Sequence, residues 1–144
     1  MKIMVINGPN LNMLGIREPE IYGDGSYDKL VETIESFASA QKIEVSCRQS
    51  NHEGVLVDWI QEAYFEGYDG IVINPGGYTH TSVAILDALL AVKLPAVEVH
   101  ISDVDAREAF RRISYVSDAC IATTKGKGWQ GYLDALTLLK ERLA

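Results

Sequence analysis

The sequence predicts an α/β fold built on one parallel sheet with helices on both faces, and three observations carry that reading. Five runs rich in β-branched residues, at 2–7, 43–48, 70–74, 96–100 and 119–123, alternate with segments of helical periodicity, and strict β/α alternation requires crossover connections and hence parallel strands. The runs are continuously apolar rather than alternating, as in strands covered on both faces. The 144 residues show no repeat, low-complexity run or linker, so 1–144 reads as a single domain around one core.

Taken in order, the first strand leads into "NGPNLNMLGIREPEIYG", residues 7–23. A Gly-rich turn after a first strand often binds a nucleotide, but this segment is too long and lacks the G-x-G-x-x-G spacing. Pro9, Pro19 and the glycines between Gly8 and Gly25 fit a hinged lid or an Ω-loop. Residues 27–41 place Leu30, Val31, Ile34, Phe37 and Ala38 on one face, and 53–67 do the same with Val55, Leu56, Trp59, Ile60 and Ala63. Both are amphipathic helices, with Trp59 in the core. Ser50-x-x-Glu53 has the spacing of a capping box at the start of the second. Residues 81–92 are apolar around most of the circumference, which requires cover from outside the domain, and Asp87 beside Val83 and Leu90 is expected to meet a partner or ligand there. Lys125 to Gly128, "KGKG", lacks phosphate-loop spacing and reads as a turn.

Composition narrows the function. Hydrophobic residues at 47% and charged residues at 23% describe a globular protein, and no run approaches a membrane span. The start of the chain shows a lone Lys2 before a strand, so no leader is expected and a cytoplasmic location is. Cys47 and Cys120 lack metal-ligand spacing and are expected as buried, reduced thiols. A net charge of −7 argues against nucleic acid or an anionic membrane as partner. An anionic ligand would need arginines placed locally. The polar clusters "NGPNLN", "QSNHEG", "NPGGYTH" and "HISDVDAR" each follow a strand, which is where parallel α/β sheets bind ligands. One composite site is therefore expected at the carboxyl ends of the strands.

The opening loop together with "QSNHEGVLVDWI", "INPGGYTHTSVAI", "VEVHIS", "REAFRRIS" and "GYLDAL" resembles type II 3-dehydroquinate dehydratase from end to end. The resemblance implies a flavodoxin-like three-layer sandwich with strand order 2-1-3-4-5. It also implies a homo-oligomer, a dodecamer built from trimers, working without metal or other cofactor. The reaction implied is loss of water from 3-dehydroquinate, giving 3-dehydroshikimate on the shikimate route to aromatic amino acids.

Such an elimination needs a base for the α-proton, stabilisation of an enolate and an acid for the departing hydroxyl. Tyr22 matches the family's base. An ordinary tyrosine is ionised in roughly one molecule per thousand at pH 7, so the matching Arg17 is expected to favour the phenolate. His100 matches the general acid, and an imidazole suits donation near neutral pH. Glu98, two residues earlier on the same strand face, is placed to orient it. Asn74 matches the residue that holds a water against the enolate oxygen. His80 and Arg111 match hydroxyl-binding residues, Asp87 one contributed from an adjacent subunit, and Ile101 with Ser102 the carboxylate cradle. Asn10 and Glu53 are supporting candidates, and Asn12 a loop organiser. Departures from the family pattern are Gly77, Leu86, Asp103 and Asp105, none of them at a catalytic position. The competing reading is a flavodoxin- or receiver-like binding module. A receiver would show acidic residues after strand one, where Asn7, Gly8 and Pro9 stand, and a flavin protein would be yellow.

Overall fold

Five strands form one all-parallel sheet in the computed structural model, as the β/α alternation predicts, and their order β2-β1-β3-β4-β5 is the one the family resemblance implies. The structure describes residues 1–22 and 25–144, and the side chains of all these except Pro19 and Tyr22. The strands are β1 (Lys2–Asn7), β2 (Glu44–Gln49), β3 (Gly70–Asn74), β4 (Ala96–His100) and β5 (Ala122–Lys125). The helices are α1 (Pro19–Tyr22), α2 (Tyr27–Ala40), α3 (Glu53–Phe65), α4 (Val83–Val92) and α5 (Gln130–Leu143).

Alternate side chains of each strand point to opposite faces, and the sheet accordingly divides two cores. Ile3, Val5, Val72, Val97 and Val99 pack with Leu30 and Ile34 of α2 and Tyr132 and Leu136 of α5. Met4, Ile6, Ile71, Ile73 and Ala96 pack with Leu56 and Ile60 of α3 and Ile85 and Leu89 of α4. Every residue of β3 and β4 is buried, which accounts for their continuous apolar sequence. No helix among the described residues is long and apolar enough to cross a membrane.

Several boundaries differ from the sequence reading, for local reasons. The run at 119–123 is not the strand: Val116–Ala119 forms a 3-10 turn, closed by the Cys120 amide on the Ser117 carbonyl, and pairing starts at Ala122. β5 is an edge strand with only Thr124 buried, so its apolar signal is weak. The capping-box reading is corrected. Glu53 is the first residue of α3 and His52 its N-cap, without a side-chain cap, while the Ser50 hydroxyl accepts from the His52 amide at 3.0 Å. Helix α4 begins two residues later than predicted, because the Ser82 hydroxyl caps it by accepting from the Ile85 amide at 2.9 Å. Trp59 sits at the edge of the core rather than within it, with the Arg48 guanidinium 5.9 Å from its ring centre. Both cysteines are free and half-buried.

Candidate active site

The carboxyl ends of the strands carry the polar residues, and their hydrogen bonds show why. Asn7 and Asn74 are register partners at the ends of β1 and β3, and both are buried. The Tyr132 hydroxyl of α5 donates to Asn7 Oδ1 at 2.6 Å and accepts from Asn74 Nδ2 at 2.8 Å. Asn74 Oδ1 accepts from the Gly76 amide at 3.1 Å. The Asn74 amide is thereby fixed in orientation before any ligand arrives. Burial pushes the Tyr132 phenol far up from its ordinary range, despite the hydrogen bond from Asn74, so it stays a neutral bridge.

The opening loop leaves β1 at Gly8, whose amide donates to the Asn74 carbonyl at 2.7 Å. A Cβ there would stand 2.6 Å from the Pro75 carbonyl oxygen, so only glycine lets the two strand ends approach this closely. The loop then makes a 3-10 turn, Leu11–Met13. Leu11 and Leu14 are buried in the α2/α5 core, and the Asn10 amide donates to Asn51 Oδ1 at 3.0 Å. Gln49 holds the loop too, donating to the Gly8 carbonyl at 3.1 Å and to Asn12 Oδ1 at 3.3 Å. The first half of the loop is thus built into the domain.

Beyond these ends lies a cavity of about 220 Å³. It is lined by Arg17 and Asn10 of the loop, Asn74 and His80 after β3, His100, Ile101 and Ser102 at the end of β4, and Arg107 and Arg111. Its described lining holds three arginines, two histidines and no carboxylate, in a chain of net charge −7. A small polyhydroxylated anion suits these walls in size, charge and hydrogen bonding.

His100 and Glu98 point to one face of β4, as the alternation requires, and both are buried. His100 Nε2 contacts Glu98 Oε2. The carboxylate also accepts from Thr79 Oγ1 at 2.6 Å, from Ser114 Oγ at 2.9 Å and from Thr123 Oγ1 at 3.4 Å. Burial works to raise the Glu98 carboxyl. The hydrogen bond and charge of His100, then the Thr79 and Ser114 hydroxyls, outweigh it and hold the group below its ordinary range. The arrangement is an ionised carboxylate fixing an imidazole that faces the cavity. His80 is anchored separately, its Nδ1 lying 2.7 Å from the Ile113 carbonyl oxygen.

Ile101 and Ser102 are braced from outside by the "KGKG" turn. The Gly126 amide donates to the Ser102 carbonyl at 3.0 Å and the Gly128 amide to the Ile101 carbonyl at 3.1 Å. Their carbonyls are tied back, and Arg107 donates to Ser102 Oγ at 3.4 Å. Arg107 is a lining residue that the sequence reading passed over, although it stands in the quoted "HISDVDAR". Its signal is that it is the first cation after the cradle. Arg111, expected in the site, lines the cavity while donating to Glu108.

Other expected site residues lie elsewhere. Asp87 is on the exposed face of α4 with Val83 and Leu90, and Glu53 at the start of α3; neither lines the cavity. The side chain of Tyr22, the expected base, lies outside the described residues. Asp103 accepts from the Asp105 amide at 3.1 Å, and Asp105 pairs with Lys125, so neither acid faces the cavity.

The model of the family described as dehydroquinase class II matches residues 1–140. This chain belongs to the class II dehydroquinases. The family match is supported along the whole chain by individual relatives. A 3-dehydroquinate dehydratase of Fusobacterium nucleatum is 57% identical over 143 residues, covering 98% of this chain and 97% of the relative. One of Clostridium perfringens is 52% identical over 143 residues, covering 99% of each. The crystal structure of a type II dehydroquinase from Butyrivibrio crossotus superposes with a TM-score of 0.96 at 55% identity, over 97% of each chain. The cavity at the strand ends is therefore the candidate active site of a dehydroquinase.

Proposed function

We propose that this chain is a hydro-lyase that removes water from 3-dehydroquinate to give 3-dehydroshikimate, by anti elimination through an enolate and without a cofactor. The observation that carries this reading is a cavity whose described lining holds three arginines and no carboxylate, in an acidic protein. In this reading the substrate carboxylate lies against Ile101 and Ser102 near Arg107, and His80 and Arg111 hold ring hydroxyls. Tyr22, as phenolate, takes the α-proton, and Arg17 stabilises that anion. The electron pair passes into the carbonyl, and the enolate oxygen is stabilised through a water held by Asn74. As the C–O bond breaks, His100 gives a proton from its cavity-side nitrogen to the departing oxygen, and water leaves. Glu98 compensates the imidazolium charge throughout. Asn10 supports the loop that carries Arg17.

Assembly belongs to the same proposal. Helix α4 leaves Val83 and Leu90 half exposed, at 50% and 51%, flanking the exposed Asp87. A homo-oligomer built from trimers, ultimately a dodecamer, would cover this face and bring Asp87 toward a neighbour's site. Sedimentation at micromolar concentration is expected to give a multiple of three chains, and a monomer would refute the assembly. Placement on the shikimate route and in the cytoplasm follows the family resemblance.

The test is an ultraviolet assay for the conjugated enone product with millimolar 3-dehydroquinate near neutral pH. Turnover is the expected result, and its absence overturns the assignment. A yellow protein as purified would favour the flavin-binding alternative.

A further inference from the structure

Two histidines face the cavity, and the same short segment touches what holds each. Ser114 Oγ accepts from the Ser117 amide at 3.1 Å, which leaves its proton for the Glu98 carboxylate at 2.9 Å and so, through Glu98, for His100. One residue earlier, the Ile113 carbonyl lies 2.7 Å from His80 Nδ1. One residue later, the Tyr115 amide donates to the Thr79 carbonyl at 2.9 Å, lacing the segment to the 3-10 turn Gly76–His80 that carries His80 and the Thr79 hydroxyl.

We propose that Ile113–Ser114–Tyr115 is a positioning segment that sets the two histidines in opposite states, His100 as proton donor and His80 as acceptor toward the ligand. A backbone carbonyl can only accept, so His80 Nδ1 carries the proton, and in the neutral ring Nε2 is then the lone pair. A ring in that state accepts from a substrate hydroxyl. His100 Nε2 faces a carboxylate, which also only accepts, so that nitrogen holds its proton and leaves the other ring nitrogen on the cavity side. A proton taken up on that second nitrogen is the one the ring can give. Ser114 acts through Glu98 as a positioning residue and touches no reacting atom.

Other charges facing the pair are Arg17, Arg107 and Arg111 around the cavity, and Asp105, Arg112 and Lys125 around an adjoining recess that shares His100 and Arg111. Cys120 lies close enough to Glu98 to feel its charge. Ser114 reaches both carboxylate oxygens of Glu98 through its own hydroxyl. Removing that hydroxyl therefore weakens the ionised carboxylate directly and leaves the surrounding charges in place.

The kinetic part of the inference rests on the dehydratase reading, and the spectroscopic part does not. With three histidines in the chain, nitrogen-15 ring correlation spectra of the unmodified protein report each tautomer without substrate. His80 is expected as the Nδ1–H form and His100 with Nε2 protonated throughout. His80 as the Nε2–H form would overturn the proposal. In the assay, Ser114→Ala is expected to move the high-pH limb of the kcat profile down by about half to one pH unit, a part of the roughly one to two units that a whole charge-assisted hydrogen bond represents, because the effect reaches His100 through Glu98. KM should change less than about twofold, and Ser114→Thr should restore the limb. Thr123→Val, removing the longer contact to the same carboxylate, should give a smaller shift in the same direction. A parallel loss of kcat at all pH values, with an unmoved limb, would reduce Ser114 to a structural role and overturn the inference. An inactive wild type with the expected tautomers would overturn the dehydratase reading and leave the segment's role standing.

Discussion

Tyr132 shows how a residue behind the cavity wall controls a residue within it. Its hydroxyl is the shared partner of Asn7 and Asn74, so Tyr132→Phe leaves two buried polar groups short of a partner. A loss of about 1–3 kcal/mol is expected in chemical denaturation, with kcat lowered as the Asn74 amide loses its fixed orientation. Unchanged stability would mean that water replaces the phenol. Tyr22 belongs to the chemistry itself in the proposed reading. Tyr22→Phe should lower kcat by about 10²–10⁴-fold, the usual contribution of a general base, while a product analogue still binds in calorimetry. Substantial residual turnover would reassign the base. Motif and strand position put Tyr22, Arg17 and His100 forward as candidates, and Arg17 and His100 line the cavity. It gave no sign of the Tyr132 bridge, because a partner 125 residues away from Asn7 leaves no local pattern.

At the scale of elements, the site depends on how closely strand ends and turns can pack. Gly8 abuts Pro75, with only 2.6 Å between its missing Cβ and a backbone oxygen. Backbone cannot step aside as a flexible side chain can. Gly8→Ala should cost about 1–3 kcal/mol, as over-packing does, and should displace the loop that carries Arg17. A thermal scan and the dehydratase assay check both, and a variant of wild-type stability and activity would contradict the packing argument. The loop between Gly8 and Gly25 looked hinged at both ends from its prolines and glycines. Leu11 and Leu14 bury its first half in the core, which glycine content does not reveal. In "KGKG" Lys125 ends β5 and the chain turns from Gly126, while the bracing of Ser102 and Ile101 comes from amides meeting carbonyls 24 and 27 residues upstream. The Ser50 reading failed because His52 took the cap position, one residue before the helix.

For the whole molecule, pH dependence follows from groups whose protonation differs between the folded and unfolded chain. Burial raises both Cys47 and Cys120 from 9.0 to about 12. A raised pKa stabilises the fold fully below pH 9.0, and the contribution is lost as pH climbs from there toward 12. Tyr132, also raised by burial, adds loss above 10.0. Glu98 acts at the other end. Its carboxyl is lowered from 4.5, so its contribution is present above that pH and disappears as pH falls through the lower folded value. Tm is expected to be flat between about pH 5 and 8, to fall below pH 4.5 and to fall again above 9.0. Cys47→Ala with Cys120→Ala should flatten the alkaline arm, and an unchanged arm would place the loss elsewhere. At pH 8 the native thiols should react with a disulfide reagent far more slowly than the unfolded chain, since three pH units mean roughly a thousandfold less thiolate.

The sequence by itself determined the strand alternation, the parallel sheet, the family and the placement of a polar cluster at each strand end. These are written in short-range periodicity and in motifs that need no partner to be read. The tertiary structure alone decided which of those clusters share a cavity, that Arg107 joins it, that Asp87 stays on an outer face of α4, and that Tyr132 holds Asn74 while Thr79 and Ser114 hold Glu98. Those decisions depend on side chains brought together from distant parts of the chain, where register and packing, not local pattern, fix which atoms meet.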